Sequence, residues 1–338
     1  MKQIATTEAV GQVLCHDITR IVKDDSKGVA FKKGHIIQEE DIPKLLALGK
    51  DNIYIWEQQP GMMHENEAAV ILRDISINKN MYATVPSEGK IELVAAEDGL
   101  LKVDSKRLQQ INSIGEIIIA SRHGNFPVKT GDKIAGMRVI PLMIEEEKLN
   151  LAQKIADNTP LFSLLPFKNK KAAIITTGNE VFHKRIQDTF TPVIIDKLAE
   201  YGTEVIYHTV SPDNKDLTAA AINDALKHNV EIIICTGGMS VDPDDLTPAA
   251  IHQSGAEIIT YGAPVLPGAM LMLAYHGNVP IVGLPGCVMY CKRTVFDLIL
   301  PRLLANDRLN VDDLTGLGEG GLCLGCQTCT YPTCGFGK

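Results

Sequence analysis

The sequence has no apolar run of the length and purity that a bilayer span requires. That excludes a helical membrane protein. It also has no excess of basic charge: 33 Lys and Arg stand against 41 Asp and Glu, a formal net charge of −8. A broad nucleic-acid footprint needs a basic surface, so no nucleic-acid partner is expected. The start, Met1 to Glu8, lacks the apolar core and cleavage pattern of a secretory signal. The expectation is a cytoplasmic protein whose thiols stay reduced. None of these absences excludes a small anionic ligand, because a few backbone N–H groups can bind phosphate on an acidic protein.

What is present fits a soluble globular chain, with 45% hydrophobic and 22% charged residues. A length of 338 residues exceeds one ordinary core and suits two or three domains. There are eight cysteines, and four of them crowd into the last sixteen residues.

The pattern divides the chain into segments 1–58, 59–168, 169–308 and 309–338. The first reads as a small α/β module. Ile42, Leu45, Leu46 and Leu48 give a helix over Glu39–Leu48, Gly49 closes it, and Asn52–Trp56 is a strand. Gln59-Pro60-Gly61 marks a linker. The second segment is β-rich, with short strands from Gly89, Gly99 and Ile117, and a turn-rich run from Pro127 to Leu142 that resembles barrel-sandwich hairpins. It reads as structural or as a dimerisation arm. A helix over Glu145–Ala156 follows.

Segment 169–308 predicts an α/β fold with a doubly wound, mostly parallel sheet. Lys171–Thr177 is a continuous apolar strand, as in a sheet covered on both faces. Thr191-Pro192 predicts a capping hydroxyl and a helix ending at Gly202. Strands at Thr203–His208 and Glu231–Cys235 alternate with a helix after Asn214. Ligands of such sheets sit beyond the C-terminal strand ends.

Glycine turns stand at those ends. They are Thr177-Gly178-Asn179-Glu180, Thr236-Gly237-Gly238-Met239-Ser240 and Leu284-Pro285-Gly286. Paired glycines let backbone N–H groups approach an anion, and the hydroxyls of Thr177, Thr236 and Ser240 add donors. Asp242, Asp244 and Asp245 follow the second turn and suit Mg²⁺ beside a phosphate. A helix expected from about Val288 would add a further anion site, with Lys292 and Arg293 nearby.

These turns, with Asp245 and Thr247 completing the second, resemble the signatures of the molybdopterin-binding (MoeA/MogA-like) domain. That domain is shared by molybdopterin molybdotransferases, molybdopterin adenylyltransferases and CinA-like proteins. The chain most resembles a truncated molybdotransferase with a cysteine-rich tail. More weakly, Gly34-His35 and Asp41–Gly49 resemble the segment that precedes this domain.

The resemblance implies a role in molybdenum-cofactor biosynthesis: binding molybdopterin or its adenylylated form, and inserting molybdate with release of AMP. It implies Glu180, Asp245 and Asp213 as catalytic residues, with Asp245 placing Mg²⁺. Thr177, Gly178, Asn179, Thr236, Gly237, Gly238, Ser240, Pro285 and Gly286 would bind the pterin phosphate. It also implies a homo-oligomer. The alternatives are a non-catalytic carrier or redox-sensing partner of a molybdoenzyme, and a CinA-like nucleotide hydrolase. The chain departs from the molybdotransferase pattern in three places. Asn179 stands for an aspartate, Leu266-Pro267-Gly268-Ala269 for a Lys-Pro-Gly-Lys turn, and Cys287-Val288 follows Leu-Pro-Gly in place of Asn-Pro. Phosphate binding survives these changes better than molybdate transfer.

In the tail, Gly316, Gly318 and Gly321 match a dinucleotide fingerprint only formally, since no strand precedes them, and the stretch reads as a flexible linker. Cys323, Cys326, Cys329 and Cys334 have Cys-x2-Cys-x2-Cys-x4-Cys spacing. Such thiolates suit an iron–sulfur cluster or Zn²⁺; an unliganded reduced tail and a disulfide pair remain the alternatives. Cys287 and Cys291, one helical turn apart, read as partly buried apolar residues or as pterin contacts, and Cys15 and Cys235 as core.

Overall fold

The computed structural model describes residues 2–21, 27–55 and 60–338. Trp56 and Gln59, where a strand end and a linker are expected, lie outside the described residues. The chain forms two compact units. One comprises Met1–Ala96, Val103–Arg122 and Thr130–Ser163, and the other Glu97–Lys102, His123–Lys129 and Leu164–Lys338. Among the described residues, no helix is long and apolar enough to cross a membrane.

In the first unit, Lys2–Ala5 pairs antiparallel with Asn52–Ile55. The helix expected from Glu39 is a 3-10 turn over Glu39–Asp41 followed by α-helix Ile42–Ala47. Pro43 in its first turn needs no N–H partner, so the α-helix starts there at no cost. Leu14, Ile18, Ile37, Leu45 and Ile53 form the core beneath. Further along, an open antiparallel sheet has the order Met81–Ala83, Ile91–Ala95, Lys133–Val139, Ile117–Ser121. Helix Glu65–Ser76 packs on Lys133–Val139 and buries Ala68, Ala69 and Leu72. That helix occupies the face a barrel-sandwich would give to a second sheet. Helix Glu146–Ala156 forms within a residue of its expected start.

The second unit is built on a six-stranded sheet. Its strands are β1 (Lys171–Thr177), β2 (Glu204–Ser211), β3 (Ile232–Thr236), β4 (Glu257–Tyr261), β5 (Met272–His276) and β6 (Val279–Leu284), in the order β2-β1-β3-β6-β5-β4. The β2-β1, β1-β3 and β3-β6 pairs are parallel, whereas the β6-β5 and β5-β4 pairs are antiparallel, so β5 alone runs against the other strands. Successive β1 residues point to opposite faces. Ala172 and Ile174 join one core cluster and Ala173 and Ile175 the other. This is why β1 reads as an uninterrupted apolar run.

The longer helices of the unit are α1 (Phe190–Ala199), α2 (Lys215–Lys227), α3 (Thr247–Gln253) and α4 (Val295–Leu304). Two expectations are corrected. Thr191 does not cap α1: it lies inside the helix, and Asp188 accepts the Phe190 and Thr191 N–H groups, each at 3.0 Å. The helix expected from Val288 begins at Val295. Gly286–Met289 is only a 3-10 turn, and Thr294 starts α4 with a reciprocal Thr294–Asp297 capping box.

The last residues pack on the same unit. Gly316–Gly318 forms a 3-10 turn where a flexible linker was expected. Leu322 bridges to Leu266 in parallel, with Leu266 N–H to Gly321 O and Cys323 N–H to Leu266 O both at 2.8 Å. The Tyr331 hydroxyl donates to Asp297 O at 2.9 Å, and Phe336 is buried in the main cluster. Gly337 has φ +80°, and a Cβ there would stand 2.5 Å from Leu298 Cδ2, so side-chain-free backbone is what lets the chain end lie so close.

Candidate functional site

The order of the sheet fixes where a ligand can sit. From β1 the chain turns one way to β2 and then crosses to β3 on the other side, so the β1/β3 boundary is a topological switch point. The loops after Thr177 and Thr236 leave the C-terminal ends of β1 and β3 there. Thr236 pairs in register with Leu284, so the Leu284-Pro285-Gly286 turn leaves the neighbouring end of β6.

The first two loops interlock. The Thr177 hydroxyl bonds to Thr236 O and to the Thr247 hydroxyl, each at 3.1 Å, and all three threonines are buried. The Thr247 N–H donates to Gly238 O at 3.2 Å. Gly237 has φ +86°, and a Cβ on it would collide with the Thr177 carbonyl oxygen. Only glycine lets the second loop lie against the first. Among the described residues, no partner is found for the N–H groups of Gly238, Met239 and Ser240. The Thr236 hydroxyl is buried and likewise lacks a partner. Tyr261 braces this loop from β4, its hydroxyl donating to Met239 O at 3.1 Å.

The carboxylates are placed as follows. Asn179 N–H donates to Asp213 Oδ2 at 2.8 Å, and Asp213 N–H donates to Asn179 Oδ1 at 3.3 Å. Asp245 Oδ2 accepts the Asp242 N–H at 2.9 Å, which closes the acidic loop on itself. Glu180, Ser240, Asp242 and Asp244 are exposed. Pro285 is buried and Gly286 exposed.

The structure thus brings Thr177, Thr236, Gly237 and Gly238 together, and separately joins Asn179 to Asp213. It sends Lys292 and Arg293 elsewhere. Lys292 Nζ donates to Gln327 O at 3.0 Å, and Arg293 lies over the Tyr331 ring and pairs with Glu200 and Asp297. Among the described residues, no three His, Cys, Asp or Glu side chains are gathered as a single-ion site, neither in the acidic loop nor in the tail. All eight cysteines are free. Burial pushes the Cys235 thiol up to about 12, which suits a core residue, and Cys15 is buried too. Cys287 and Cys291 are half-buried.

Sequence reasoning had Thr247 only as a position of the second signature, gave no role to Tyr261, and missed Asp188. Burial raises the Asp188 carboxyl, but hydrogen bonds from Thr191, Thr176 and Phe190 outweigh that and hold it below the usual carboxylate range. A carboxylate three residues ahead of Thr191 was the available signal for that cap.

Residues 173–305 match the family described as a probable molybdopterin binding domain, and residues 3–57 match a domain of unknown function (DUF8806). The chain therefore carries a molybdopterin-binding-type domain in its second unit. A CinA-like protein of Fervidobacterium nodosum is 31% identical over 112 residues, covering 33% of this chain and 27% of that protein. A putative competence-damage inducible protein of Bacillus cereus is 37% identical over 95 residues, 28% of this chain and 23% of that one. The matches thus span about a quarter of these relatives. Among solved structures, the molybdopterin biosynthesis enzyme MoaB of Thermus thermophilus is 20% identical, covers 42% of this chain and 98% of its own, and has a TM-score of 0.34. The molybdopterin biosynthesis MoeA protein of Pyrococcus horikosii is 15% identical, covers 91% of this chain and 76% of its own, and has a TM-score of 0.35.

Proposed function

We propose that this protein binds the phosphate of a molybdopterin-type pterin at the C-terminal ends of β1, β3 and β6, and works in molybdenum-cofactor assembly. The observation that carries this reading is the packing of Gly237 against Thr177. It fixes a loop whose next N–H groups, from Gly238 to Ser240, lack protein partners among the described residues, and such a run of amides is a receptor for phosphate oxygens. The unpartnered Thr236 hydroxyl sits at the same strand end. In this reading Thr177, Gly178, Asn179, Ser240, Pro285 and Gly286 shape the cradle.

In this reading Glu180 and Asp245 are the residues that would position Mg²⁺, and Asp213 has a catalytic role. Mg²⁺ commonly takes one or two carboxylates and completes its shell with water and substrate phosphate, so an all-protein cage is not required. Bound there, it would offset phosphate charge. The chain's own contribution is to bind and orient. Asp213 is locked by Asn179, and Asp245 keeps Oδ1 beyond its bond to Asp242.

Molybdate insertion with AMP release is the enzymatic form of this reading, and a carrier serving a molybdoenzyme is its non-catalytic form. The carrier is favoured by the Leu266–Ala269 turn. It has no lysines, and the tail strand covers the Leu266 backbone on both its N–H and its carbonyl. Two assays separate the readings. Titration with molybdopterin, followed by pterin fluorescence, should saturate for either form, and no binding would refute both. AMP release from adenylylated molybdopterin with molybdate and Mg²⁺ marks the enzyme. The CinA-like relatives support a nucleotide-hydrolase reading, in which pyrophosphate-containing nucleotides would be cleaved without molybdate.

A further inference from the structure

A cavity of about 740 Å³ opens in the second unit, away from the three glycine turns. Five of the eight cysteines line it: Cys291 from the turn before α4, and Cys323, Cys326, Cys329 and Cys334 from the tail. Lys292 also lines it, and no carboxylate or imidazole does. Beside the thiols stand the Lys292 and Arg293 cations and the hydroxyls of Tyr290, Thr330 and Tyr331, so the soft-metal ligands facing this space are all thiols.

None of the thiols is in a disulfide, and among the described residues no three are gathered as they would be around a single ion. A tetrahedral zinc with Zn–S bonds of about 2.3 Å needs its sulfurs roughly 3.8 Å from one another. Thiolates ligating a four-iron cube bind its separate corners and stand farther apart. The packing of the tail holds this segment in place. Leu322 bridges Leu266, Tyr331 bonds to Asp297 O, and buried Phe336 anchors the end. Cys326 and Cys329 stay exposed between those anchors. The ordering cost of the loop is thus met by apolar burial, leaving the thiols arranged around open space.

We propose that this cavity binds a [4Fe–4S] cluster through the thiolates of Cys323, Cys326, Cys329 and Cys334, with Cys291 facing the cluster as a non-ligand. Two ferrous ions, two ferric ions and four sulfides are the co-reactants of the [4Fe–4S]2+ core, and each ligating thiol forms one Fe–S bond and loses its proton to solvent, so no external oxidant is needed. The ligated cluster carries negative charge. Lys292, which has no carboxylate partner among the described residues, lies where it offsets that charge. The site is separate from the proposed pterin cradle and does not rest on that reading.

The test uses the full chain, purified without oxygen and reconstituted with equal amounts of ferrous and ferric iron and with sulfide, then desalted. The expected result is about four iron and about four acid-labile sulfide per chain. It should show broad visible absorption that bleaches with dithionite, and a paramagnetic signal on reduction. Cys326→Ser and Cys329→Ser, at exposed positions, should lose the cluster with unchanged circular dichroism, while Cys291→Ser and Cys287→Ser keep it. Stoichiometric zinc that iron and sulfide do not displace would overturn the proposal, as would a chain that stays colourless. A cluster retained in Cys326→Ser, or lost in Cys291→Ser while Cys334→Ser keeps it, would overturn the ligand assignment.

Discussion

Asn179 and Asp213 hold each other's backbone: Asn179 N–H donates to Asp213 Oδ2 at 2.8 Å, and Asp213 N–H donates to Asn179 Oδ1 at 3.3 Å. The pair staples the loop after β1 to the loop after β2. It also gives Asn179 a physical rationale, since an aspartate there would set a second carboxylate beside Asp213. Asn179→Ala removes one acceptor and should cost about 1 kcal/mol in a denaturant titration. It should also weaken pterin binding, by loosening the cradle. Asn179→Asp should keep both acceptors yet set a second carboxylate beside Asp213, and should lower stability at neutral pH through like-charge repulsion. Unchanged stability in Asn179→Ala would show that the staple is not needed.

Gly237 and Gly286 both sit in the proposed cradle, but their backbones differ. Gly237→Ala places a methyl against Thr177 O at a positive φ, whereas a Cβ on Gly286 would meet nothing within 4 Å. The first substitution should lower stability by about 1–2 kcal/mol or more and cut pterin affinity at least about tenfold. The second should leave the melting temperature unchanged. Equal effects would contradict the close approach of the two loops.

Acid should destabilise the first unit through His64. Its Nε2 donates to Cys15 O at 2.7 Å and its Nδ1 accepts from Asn66 N–H at 3.1 Å, so both nitrogens are used in the neutral ring. Burial lowers its pKa from the ordinary value, outweighing the bond to Cys15 O. The unfolded chain therefore takes up a proton below pH about 6.5 that the folded ring resists. Stability is full above that pH and falls as pH drops through and below it. Burial lowers His16 in the same direction. Melting curves between pH 7.5 and pH 5, roughly spanning the histidine range, should show this fall, and it should shrink in His64→Gln. A pH slope identical in the variant would remove His64 as its source.

Lys197 and Asp297 form a buried ion pair, Nζ to Oδ1 at 2.6 Å, and Asp297 also pairs with Arg293 and caps α4 at Thr294. Asp297→Ala strands the Lys197 ammonium in the interior and should cost about 3–5 kcal/mol. Lys197→Met combined with Asp297→Leu should recover part of that loss, because no unpaired charge remains. A double variant as unstable as Asp297→Ala would place the cost in the lost cap and the Arg293 contact instead.

Much of the second unit was legible along the chain. The apolar run 171–177, the helix after Asn214 and the glycine turns at strand ends are local signals, and each marks an element the structure contains. Element starts were less legible. The α1 cap went to Asp188 and not Thr191, and α4 began after a 3-10 turn, because proline and threonine show where a helix is allowed but not which neighbour satisfies its first N–H groups.

The sequence by itself determined the three glycine turns, the acidic loop and the spacing of the tail cysteines, because turn chemistry and strand hydrophobicity are written in adjacent residues. Only the tertiary structure decided what those residues face. The order β2-β1-β3 put Thr177 beside Gly237, although they lie 60 positions apart in sequence. Packing of Tyr331 and Phe336 drew the tail onto α4, turned Lys292 and Arg293 away from the glycine turns, and set Cys291 on the same cavity as the tail thiols. Those contacts depend on which surfaces are buried together, and no local pattern encodes that.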